Sequence, residues 1–455
     1  MTTTYDVRIW KTEQYKGPRG TTYKVRWAVA GQRRKKAFRT KALADSFRSE
    51  LVSAQRKGEA FTVESGLPIS TTRHENEMSW FDFACLYVDS KWSSLAGNSR
   101  RNTAQALTAA TLALLTTERG RPETSLLRRA LVSWAFNMRA RTTMTAPADI
   151  SQTLDWLSRN TRPAGDLAEA EVTRRVLDAL TRTHQDKPAA AGTVQRRRGV
   201  IVNALGQAVE RKLLLSNPVV SLSWTAPKTV KAVDKRVAVN PTQARGLLEA
   251  VRDQGPSGSG LVAFFAVMYY SALRPGEALS LRKDNLLIPE EGWGELLFDQ
   301  SCPSVGRAWS DSGTRREQRQ LKHRAKGDTR SAPCPPELTQ LLHDHLATHG
   351  TDADGRLFRG VRSGRELEES TYHRVWRKAR KAALSAEEFA SPLARRPYDL
   401  RHAAVSTWLN AGVPPTQVAE WAGHSVAVLL QIYAKCLSGQ EELARKRIEA
   451  TLREE

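Results

Sequence analysis

Cysteine clusters, long apolar segments and nucleotide-binding loops are missing from this sequence. Its 455 residues include four widely separated cysteines: Cys85, Cys302, Cys334 and Cys436. Without CxxC spacing they predict neither a zinc site nor a disulfide framework. The longest apolar run, Leu261 to Leu273, is shorter than the roughly 18 to 20 residues that cross a bilayer. The first residues lack the pattern of a signal peptide, so we expect a cytoplasmic, nucleoid-associated protein that does not enter a membrane.

The composition is that of a folded protein with several domains. Hydrophobic residues make up 40% and charged residues 26%, and there are 12 tryptophans, which argues against disorder. At roughly 100 to 200 residues per domain, the length predicts two to four domains.

Positive charge is the first indication of a partner. The sequence has 70 Lys and Arg against 48 Asp and Glu, a net charge of +22, which favours nucleic acid over an anionic membrane surface. Residues 1–60 alone hold 15 basic and 5 acidic residues. Further basic groups at 196–198, 315–326 and 374–381 suit a long polyanion, and we expect double-stranded DNA.

The N-terminal segment alternates in the way that strands do. Apolar and polar residues alternate from Tyr23 to Val29, and shorter runs at 5–9 and 33–38 resemble it. Leu43, Phe47 and Leu51 have helical spacing and predict one buried helix face. We therefore predict a β-β-β-α module over residues 1–65. Its basic outward face can lie in a DNA groove, and the alternative is a generic adaptor.

The rest of the chain predicts a helical domain and a mixed domain. After a polar linker, residues 78–225 show helical patterns and no convincing strand, which predicts an all-helical domain. A basic connector leads to a third domain, 235–455, which is mostly helical with a small sheet and ends in a charged tail helix. The predicted fold class is therefore multidomain, mainly α with small β.

Three motifs in the third domain carry residues suited to phosphate chemistry. In SALRPGEALSL, Arg274 precedes a helix that starts at Pro275, and Glu277 can orient its guanidinium; alone, this motif is more often a capping ion pair. In RRPYDLRH, Tyr398 and Arg401 are three residues apart. In EWAGHSVAVLLQIY, His424 lies in a turn and Tyr433 follows nine residues later, where a lone tyrosine is usually part of a core.

In this order and spacing, the three motifs resemble those of the tyrosine recombinase family, the phage and integrative-element integrases. The resemblance implies a catalytic set of Arg274, Arg401, His424 and the nucleophile Tyr433. It also implies a lysine on a β-hairpin, for which LKHRAKGDTR offers Lys322 and Lys326. We prefer Lys322, because Lys326 adjoins the turn-like Gly327-Asp328 pair.

One position departs from the family pattern. Tyr398 stands where the family usually has the first histidine of HxxR. A phenol does not readily act as a general base near neutrality, so the expected role of Tyr398 is a hydrogen bond.

The resemblance implies that Tyr433 attacks a DNA phosphate, forming a 3′-phosphotyrosyl bond and releasing a 5′-hydroxyl. Arg274 and Arg401 would neutralise the phosphorane, His424 would add a donor, and the lysine would protonate the 5′-oxygen. This chemistry needs no cofactor and no metal, and it implies self-association to a tetramer on DNA. An excisionase or a host DNA-bending protein is a further candidate partner.

Two other functions are compatible with parts of this pattern. A type IB topoisomerase uses similar chemistry to relax DNA, although a basic arm module and a tail helix favour recombination. A DNA-binding regulator without catalysis would have no use for the full catalytic set. We therefore expect an integrase that integrates or excises a mobile element.

Overall fold

The computed structural model describes residues 2–17, 20–69, 78–229, 232–321, 329–360 and 366–433, together with 445, 446, 448, 449 and 452. These residues are mainly helical and include several small sheets. They group into two units, one formed by 1–95 with 100–227 and the other by 96–99 with 228–455. No helix in the described part of the chain combines the length and hydropathy of a membrane span.

Antiparallel strands and one helix form the N-terminal end of the first unit. Its strands are β1 (Thr3–Thr4), β2 (Val7–Ile9), β3 (Glu13–Gly17), β4 (Gly20–Val29), β5 (Gln32–Phe38) and β6 (Phe61–Thr62). β4 pairs with β2, β3 and β5, and β1 pairs with β6. The three-strand prediction therefore omitted β1, β3 and β6. Of these, β3 is a polar strand, EQYKG, whose sequence lacks the alternation of a half-buried strand.

Helix α1 (Lys41–Arg56) covers one face of this sheet. Val25, Trp27 and Val29 point towards it and are buried, which is the period of two that strands impose. The predicted helix face needs correction, because Leu43 is 57% exposed. Ala44 is buried in its place, one position further along the helix.

The remainder of the first unit is helical. Its helices are α2 (Trp80–Trp92), α3 (Gly97–Ala113, without residues 97–99, which group with the second unit), α4 (Thr124–Ala130), α5 (Met138–Thr143), α6 (Ala148–Arg159), α7 (Ala170–Leu180), α8 (Ala191–Glu210) and α9 (Pro218–Ser221). α4 runs on into a π turn, Leu131–Ala135. Apolar residues on α7 at helical spacing, among them Val172, Val176 and Leu180, are buried.

The second unit combines helices with short strands. Its helices are α10 (Pro241–Arg252), α11 (Pro256–Ser259), α12 (Val262–Tyr270), α13 (Pro275–Ala278), α14 (Pro336–His349), α15 (Glu369–Ala383), α16 (Ala386–Ala390), α17 (Asp399–Asn410), α18 (Pro415–Ala422) and α19 (Val426–Tyr433). Its strands are β7 (Leu286–Leu287), β8 (Gly294–Phe298), β9 (Gln300–Ser301), β10 (Arg319–Gln320) and β11 (Arg330–Cys334). β8 lies between β7 and β11, and β9 pairs with β10, all antiparallel.

The core of the second unit surrounds α12. This helix, VAFFAVMYY, is apolar on every side because it is buried on every side. The Phe265 ring lies 4.8 Å from that of Trp376 on α15. Beyond the end of α12, the hydroxyl of Ser271 donates to the carbonyl of Pro333 on β11 at 2.7 Å. The chain that follows, which includes Arg274, is thereby held beside the sheet.

A smaller apolar cluster joins α17, α18 and α19. It contains Val405, Leu409, Val418, Leu429 and Tyr433, which are buried together with Ala272. Because Ala272 is two residues before Arg274, this cluster brings the Arg274 segment close to the three C-terminal helices. The candidate site lies where these elements meet.

Candidate active site

Glu277 is the anion at the centre of the site. It lies on α13 and is almost completely buried. Its carboxylate accepts hydrogen bonds from Arg274 at 2.7 Å and from Arg330 at 2.9 and 3.2 Å, and lies 3.8 Å from Arg401. Burial alone would raise the pKa of Glu277, but the three guanidiniums outweigh it and lower the pKa to about 2. The carboxylate is therefore ionised and holds three arginines in place.

Arg274 occupies the N-cap of α13, as the Pro275 start predicts. Besides its bond to Glu277, its guanidinium donates to the carbonyl of Gly423 at 2.8 Å. Its side chain remains 26% exposed. Arg274 is therefore oriented by the protein and still accessible to a ligand.

Gly423 forms the turn between α18 and α19 and adopts a left-handed conformation with φ of 61°. A Cβ at this position would lie 2.4 Å from Nη1 of Arg330. Glycine meets both the backbone requirement and the close approach of the arginine.

Arg330 is a member of the site that sequence analysis missed. It is the first residue of β11 and its side chain is buried. It donates to both carboxylate oxygens of Glu277 and to the carbonyl of Ala422, and its guanidinium lies 5.2 Å from the centre of the Phe298 ring. The sequence predicts Arg330 only as the first residue of a strand. No local pattern distinguishes it from the basic residues that precede it.

Arg401, on α17, is completely buried. Its guanidinium donates to the carbonyls of Ala272 and Ala422 and to Nε2 of His424. Burial lowers the pKa of Arg401 to about 10, with the charge of Arg274 acting in the same direction and Glu277 opposing it. Arg401 therefore remains charged at neutral pH and holds the turn that carries His424.

His424 is held in one tautomer by Arg401. Its Nε2 lies 2.9 Å from the Arg401 guanidinium, which can only donate, so the ring proton is on Nδ1. That Nδ1 is buried and has no hydrogen-bond partner among the described residues. Burial and the neighbouring arginines lower the pKa of His424 to about 3, so the neutral ring offers an N–H donor at Nδ1.

Tyr433, in the last turn of α19, is 1% exposed and packs in the small apolar cluster. Its hydroxyl oxygen lies 2.8 Å from Nδ1 of His402. Its ring centre is 6.1 Å from that of His424. The structure thus brings Tyr433 to the arginine cluster.

His402 is a second residue that sequence analysis missed. It directly follows Arg401 in YDLRH, and that adjacency is the only local signal for it.

Tyr398 is the N-cap residue of α17. Its hydroxyl is close enough to the Arg274 guanidinium to help raise the pKa of Arg274, against the larger effect of burial. Its ring meets that of His402 edge to face, with 5.1 Å between centres. The hydrogen bond that the sequence analysis expects of this hydroxyl stays a prediction.

The hairpin lysines Lys322 and Lys326 both lie outside the described residues. The preceding strands β9 and β10 pair as a hairpin, and Leu321 after them is buried. The choice between the two lysines stays a prediction. The described residues contain no cluster of three or more metal-ligating side chains.

Together, these residues form a site with an excess of positive charge. The Glu277 carboxylate is one negative charge beside three positively charged guanidiniums. His402 and His424 are neutral at pH 7, because burial lowers the pKa of each. Such a cluster is suited to an anion with several oxygens, such as a phosphodiester. A tyrosine hydroxyl at its edge can act as a nucleophile.

Part of the second unit matches a known family model. Residues 238–438 match the model described as the phage integrase family. This match includes Arg274, Glu277, Arg330, Arg401 and Tyr433. No curated protein matches the sequence.

Several solved structures are similar to this chain. A Tn1549 transposon integrase in complex with a circular intermediate DNA has 14% identity and a TM-score of 0.47, over 69% of this chain and 96% of that chain. XerH site-specific recombinase bound to its difH substrate has 13% identity and a TM-score of 0.48, over 83% and 96%. A lambda integrase tetramer bound to a Holliday junction has 11% identity and a TM-score of 0.42, over 93% and 94%.

Proposed function

Because residues 238–438 match the phage integrase family model, we propose that the protein is a tyrosine site-specific recombinase. It cuts and rejoins double-stranded DNA through a 3′-phosphotyrosyl intermediate, and its reaction integrates or excises a mobile element. The observation that carries the proposal is the cluster of Arg274, Arg330 and Arg401 around Glu277, beside the hydroxyl of Tyr433.

In this proposal the arginine cluster binds the scissile phosphate. Arg274, the partly exposed member, contacts a non-bridging oxygen directly. Arg401 and Arg330 contribute positive charge from buried positions, where the low dielectric makes that charge more effective. His424 donates from Nδ1, and Tyr398 and Glu277 orient Arg274.

Tyr433 is the proposed nucleophile. As its oxygen bonds to phosphorus, the bond from phosphorus to the 5′-oxygen breaks, and the lysine at 322 or 326 protonates the leaving oxygen. Exchange of one phosphodiester for a phosphotyrosyl ester of similar energy allows the reverse step to reseal the DNA, so we propose that no cofactor takes part.

The other parts of the chain are proposed to hold the DNA. We assign residues 1–65 to an arm-type module, 78–225 to a core-binding domain and 235–455 to the catalytic domain. Arg26, Arg33 and Lys35 are exposed on strands of the first of these. Exchange of two duplexes requires four cleavages, so we propose a tetramer on DNA.

The decisive experiment is to trap a covalent protein–DNA adduct. The full chain is incubated with candidate attachment-site duplexes that carry a nick next to the scissile phosphate, so that the freed fragment diffuses away and resealing is blocked. We expect an adduct whose peptide map places the DNA on Tyr433. A matched Tyr433→Phe variant should bind the same DNA and give no adduct.

Further controls separate this function from its alternatives. Excess EDTA should leave the adduct yield unchanged, because the arginines supply the positive charge. Adduct formation with relaxation of supercoiled DNA but without exchange between two sites would indicate a topoisomerase. DNA binding without an adduct on any candidate site would indicate a regulator.

A further inference from the structure

His402 is a hydrogen-bond partner of the Tyr433 hydroxyl that has the chemistry of a base. Its Nδ1 lies 2.8 Å from the hydroxyl oxygen, which is within normal hydrogen-bonding distance. The two ring centres are 5.7 Å apart. His402 is fixed on α17 directly after Arg401, so its position depends on the helix that also carries the buried arginine.

The other candidate proton acceptors of the site are either engaged elsewhere or poor bases. Nε2 of His424 accepts a hydrogen bond from Arg401, and its Nδ1 carries the proton. Tyr398 offers a phenol oxygen, which does not readily take up a proton near neutrality. Glu277 is surrounded by guanidiniums that keep it ionised and occupied. Among these side chains, His402 alone has a ring nitrogen within hydrogen-bonding distance of the nucleophilic oxygen.

We infer that His402 is the general base of the cleavage step, with Nδ1 accepting the proton of the Tyr433 hydroxyl. This inference rests on the proposed function. As the bond between the tyrosine oxygen and phosphorus forms, the proton moves to Nδ1, and the bond from phosphorus to the 5′-oxygen breaks. The lysine at 322 or 326 protonates the leaving oxygen. In the resealing step the imidazolium returns its proton to the tyrosine oxygen as that oxygen leaves.

The protonation state of His402 fits this role. Burial lowers the pKa of His402 to about 4, Arg401 and Arg396 act in the same direction, and Asp399 opposes them. The imidazole is therefore neutral near pH 7, and its lone pair is available once the ring proton is on Nε2. A bound phosphodiester brings negative charge close to the ring, which favours the imidazolium that forms during attack. Among the described residues, the titratable and charged groups identified around the ring are Tyr398, Asp399, Arg396, Arg401 and Tyr433.

The test is a substitution that keeps the hydrogen bond and removes the base. In His402→Asn the amide oxygen can occupy the position of Nδ1 and accept from the phenol, but it does not take up the proton. We expect cleavage of the nicked duplex to slow by roughly 10²- to 10⁴-fold, the usual range for general acid–base catalysis, with unchanged DNA affinity. His343→Asn is the matched control. His343 is partly exposed on α14 and bonds to the carbonyl of Pro289, so this variant should cleave at the wild-type rate.

The pH dependence separates a base from a positioning residue. Without a base, attack requires the phenolate, so the cleavage rate of His402→Asn should rise about tenfold per pH unit over a range where the wild type changes little. A ring-fluorinated tyrosine at 433, whose phenol is more acidic, should restore much of the lost rate. His402→Gln, which cannot take up the proton either, is a second variant with the same expectation if the first does not fold.

The outcomes are distinct. A His402→Asn variant that cleaves at the wild-type rate with the wild-type pH profile would overturn the inference and leave the recombinase proposal intact. A slow variant whose pH profile is unchanged and whose rate ring fluorination does not restore would reduce His402 to a positioning residue and would also overturn it. If the wild-type chain forms no adduct at Tyr433, the proposed function itself fails, and the inference fails with it.

Discussion

Glu277 and Arg330 form a buried ion pair in which both carboxylate oxygens are engaged, at 2.9 and 3.2 Å. The two side chains come from α13 and β11 and are at most 3% exposed. A buried pair of this kind is costly to break, because the remaining partner keeps its charge without compensation. The pair therefore connects the stability of the second unit to the geometry of its candidate active site.

Removing the Glu277 carboxylate should lower the free energy of unfolding more than removing the Arg330 guanidinium. We expect Glu277→Gln to lower the free energy of unfolding by about 3 to 5 kcal/mol, since three guanidiniums lose their shared carboxylate. Arg330→Met should lower the free energy of unfolding by less, because Arg274 and Arg401 still compensate the charge of the Glu277 carboxylate. Urea unfolding of both single variants and of the double variant measures this. Glu368→Gln, which removes an exposed pair with Arg315, is the control and should cost at most about 1 kcal/mol. Equal effects of Glu277→Gln and the control would contradict the central role of Glu277.

The contribution of Glu277 should depend on pH in a defined direction. Although burial opposes it, the three arginines lower the pKa of Glu277 from 4.5 to about 2 in the folded protein. A depressed folded pKa gives stability that is complete above the ordinary value and is lost as the pH falls through the folded value. The difference in unfolding free energy between wild type and Glu277→Gln should therefore be constant above about pH 5 and shrink between pH 4.5 and 2. A difference that does not change with pH would mean that the carboxylate is not ionised in the fold.

Gly423→Ala should disturb the site more than its backbone strain alone explains. The new Cβ would lie 2.4 Å from Nη1 of Arg330, so the arginine must move away from Glu277. Gly355→Ala is a control with φ of 78° and no atom within 4 Å of the new Cβ; it should show only the conformational cost of about 1 kcal/mol. We expect Gly423→Ala to lose cleavage activity as well as stability, measured by adduct formation and urea unfolding. Equal effects of the two substitutions on both measurements would argue against the close approach of Arg330 to Gly423.

The hairpin lysine can be identified by the leaving group. A 5′-bridging sulfur leaves as a thiolate and hardly needs an acid, so loss of the general acid slows cleavage of ordinary DNA but not of the sulfur-substituted strand. We expect Lys322→Ala to cleave normal DNA roughly 10²- to 10⁴-fold more slowly and to recover on sulfur. Arg274→Ala should not recover, because its role is on the non-bridging oxygens. Recovery of Lys326→Ala instead, with Lys322→Ala near wild type, would assign the acid to Lys326.

The basic face of the N-terminal sheet should bind DNA phosphates. Arg26 and Lys35 are paired across β4 and β5, and Arg33 pairs with Ala28, on the face opposite the buried Val25 and Trp27 side chains. Neutralising these three basic residues to Gln in the full chain should weaken binding to attachment-site DNA with its flanks. The slope of log affinity against log salt should become shallower by about 0.9 for each phosphate that the variant no longer neutralises.

A variant with the same reduction of charge on α1 is the control. Its neutralised residues are Lys41, Arg56 and Lys57, which are exposed on or next to the helix. An equal effect of both triple variants would mean that only net charge matters and that the sheet face does not bind DNA specifically.

The local sequence accounts for the elements that carry the site. The Asn240-Pro241 pair predicts the start of α10 at Pro241, where the structure has a capping box between Asn240 and Gln243. Gly423 predicts the end of α18, and the structure has it in the left-handed conformation that ends helices. Capping and periodicity involve neighbours within a few residues, so the sequence is sufficient for them. The family resemblance carried by the motifs around Arg274, Arg401, His424 and Tyr433 likewise implied residues that the structure brings together.

Only the tertiary structure decided which further side chains belong to the site and which residues of the α1 helix face are buried. Arg330 lies 53 residues from Glu277 in sequence, and His402 lies 31 from Tyr433. Local pattern does not encode such pairings, because they depend on how β11, α13, α17 and α19 pack. Packing also buried Ala44 where helical spacing had favoured Leu43. The sequence by itself determined the start of α10, the end of α18 and the reactive residue types. Long-range packing determined the carboxylate that holds three arginines and the imidazole that contacts the tyrosine.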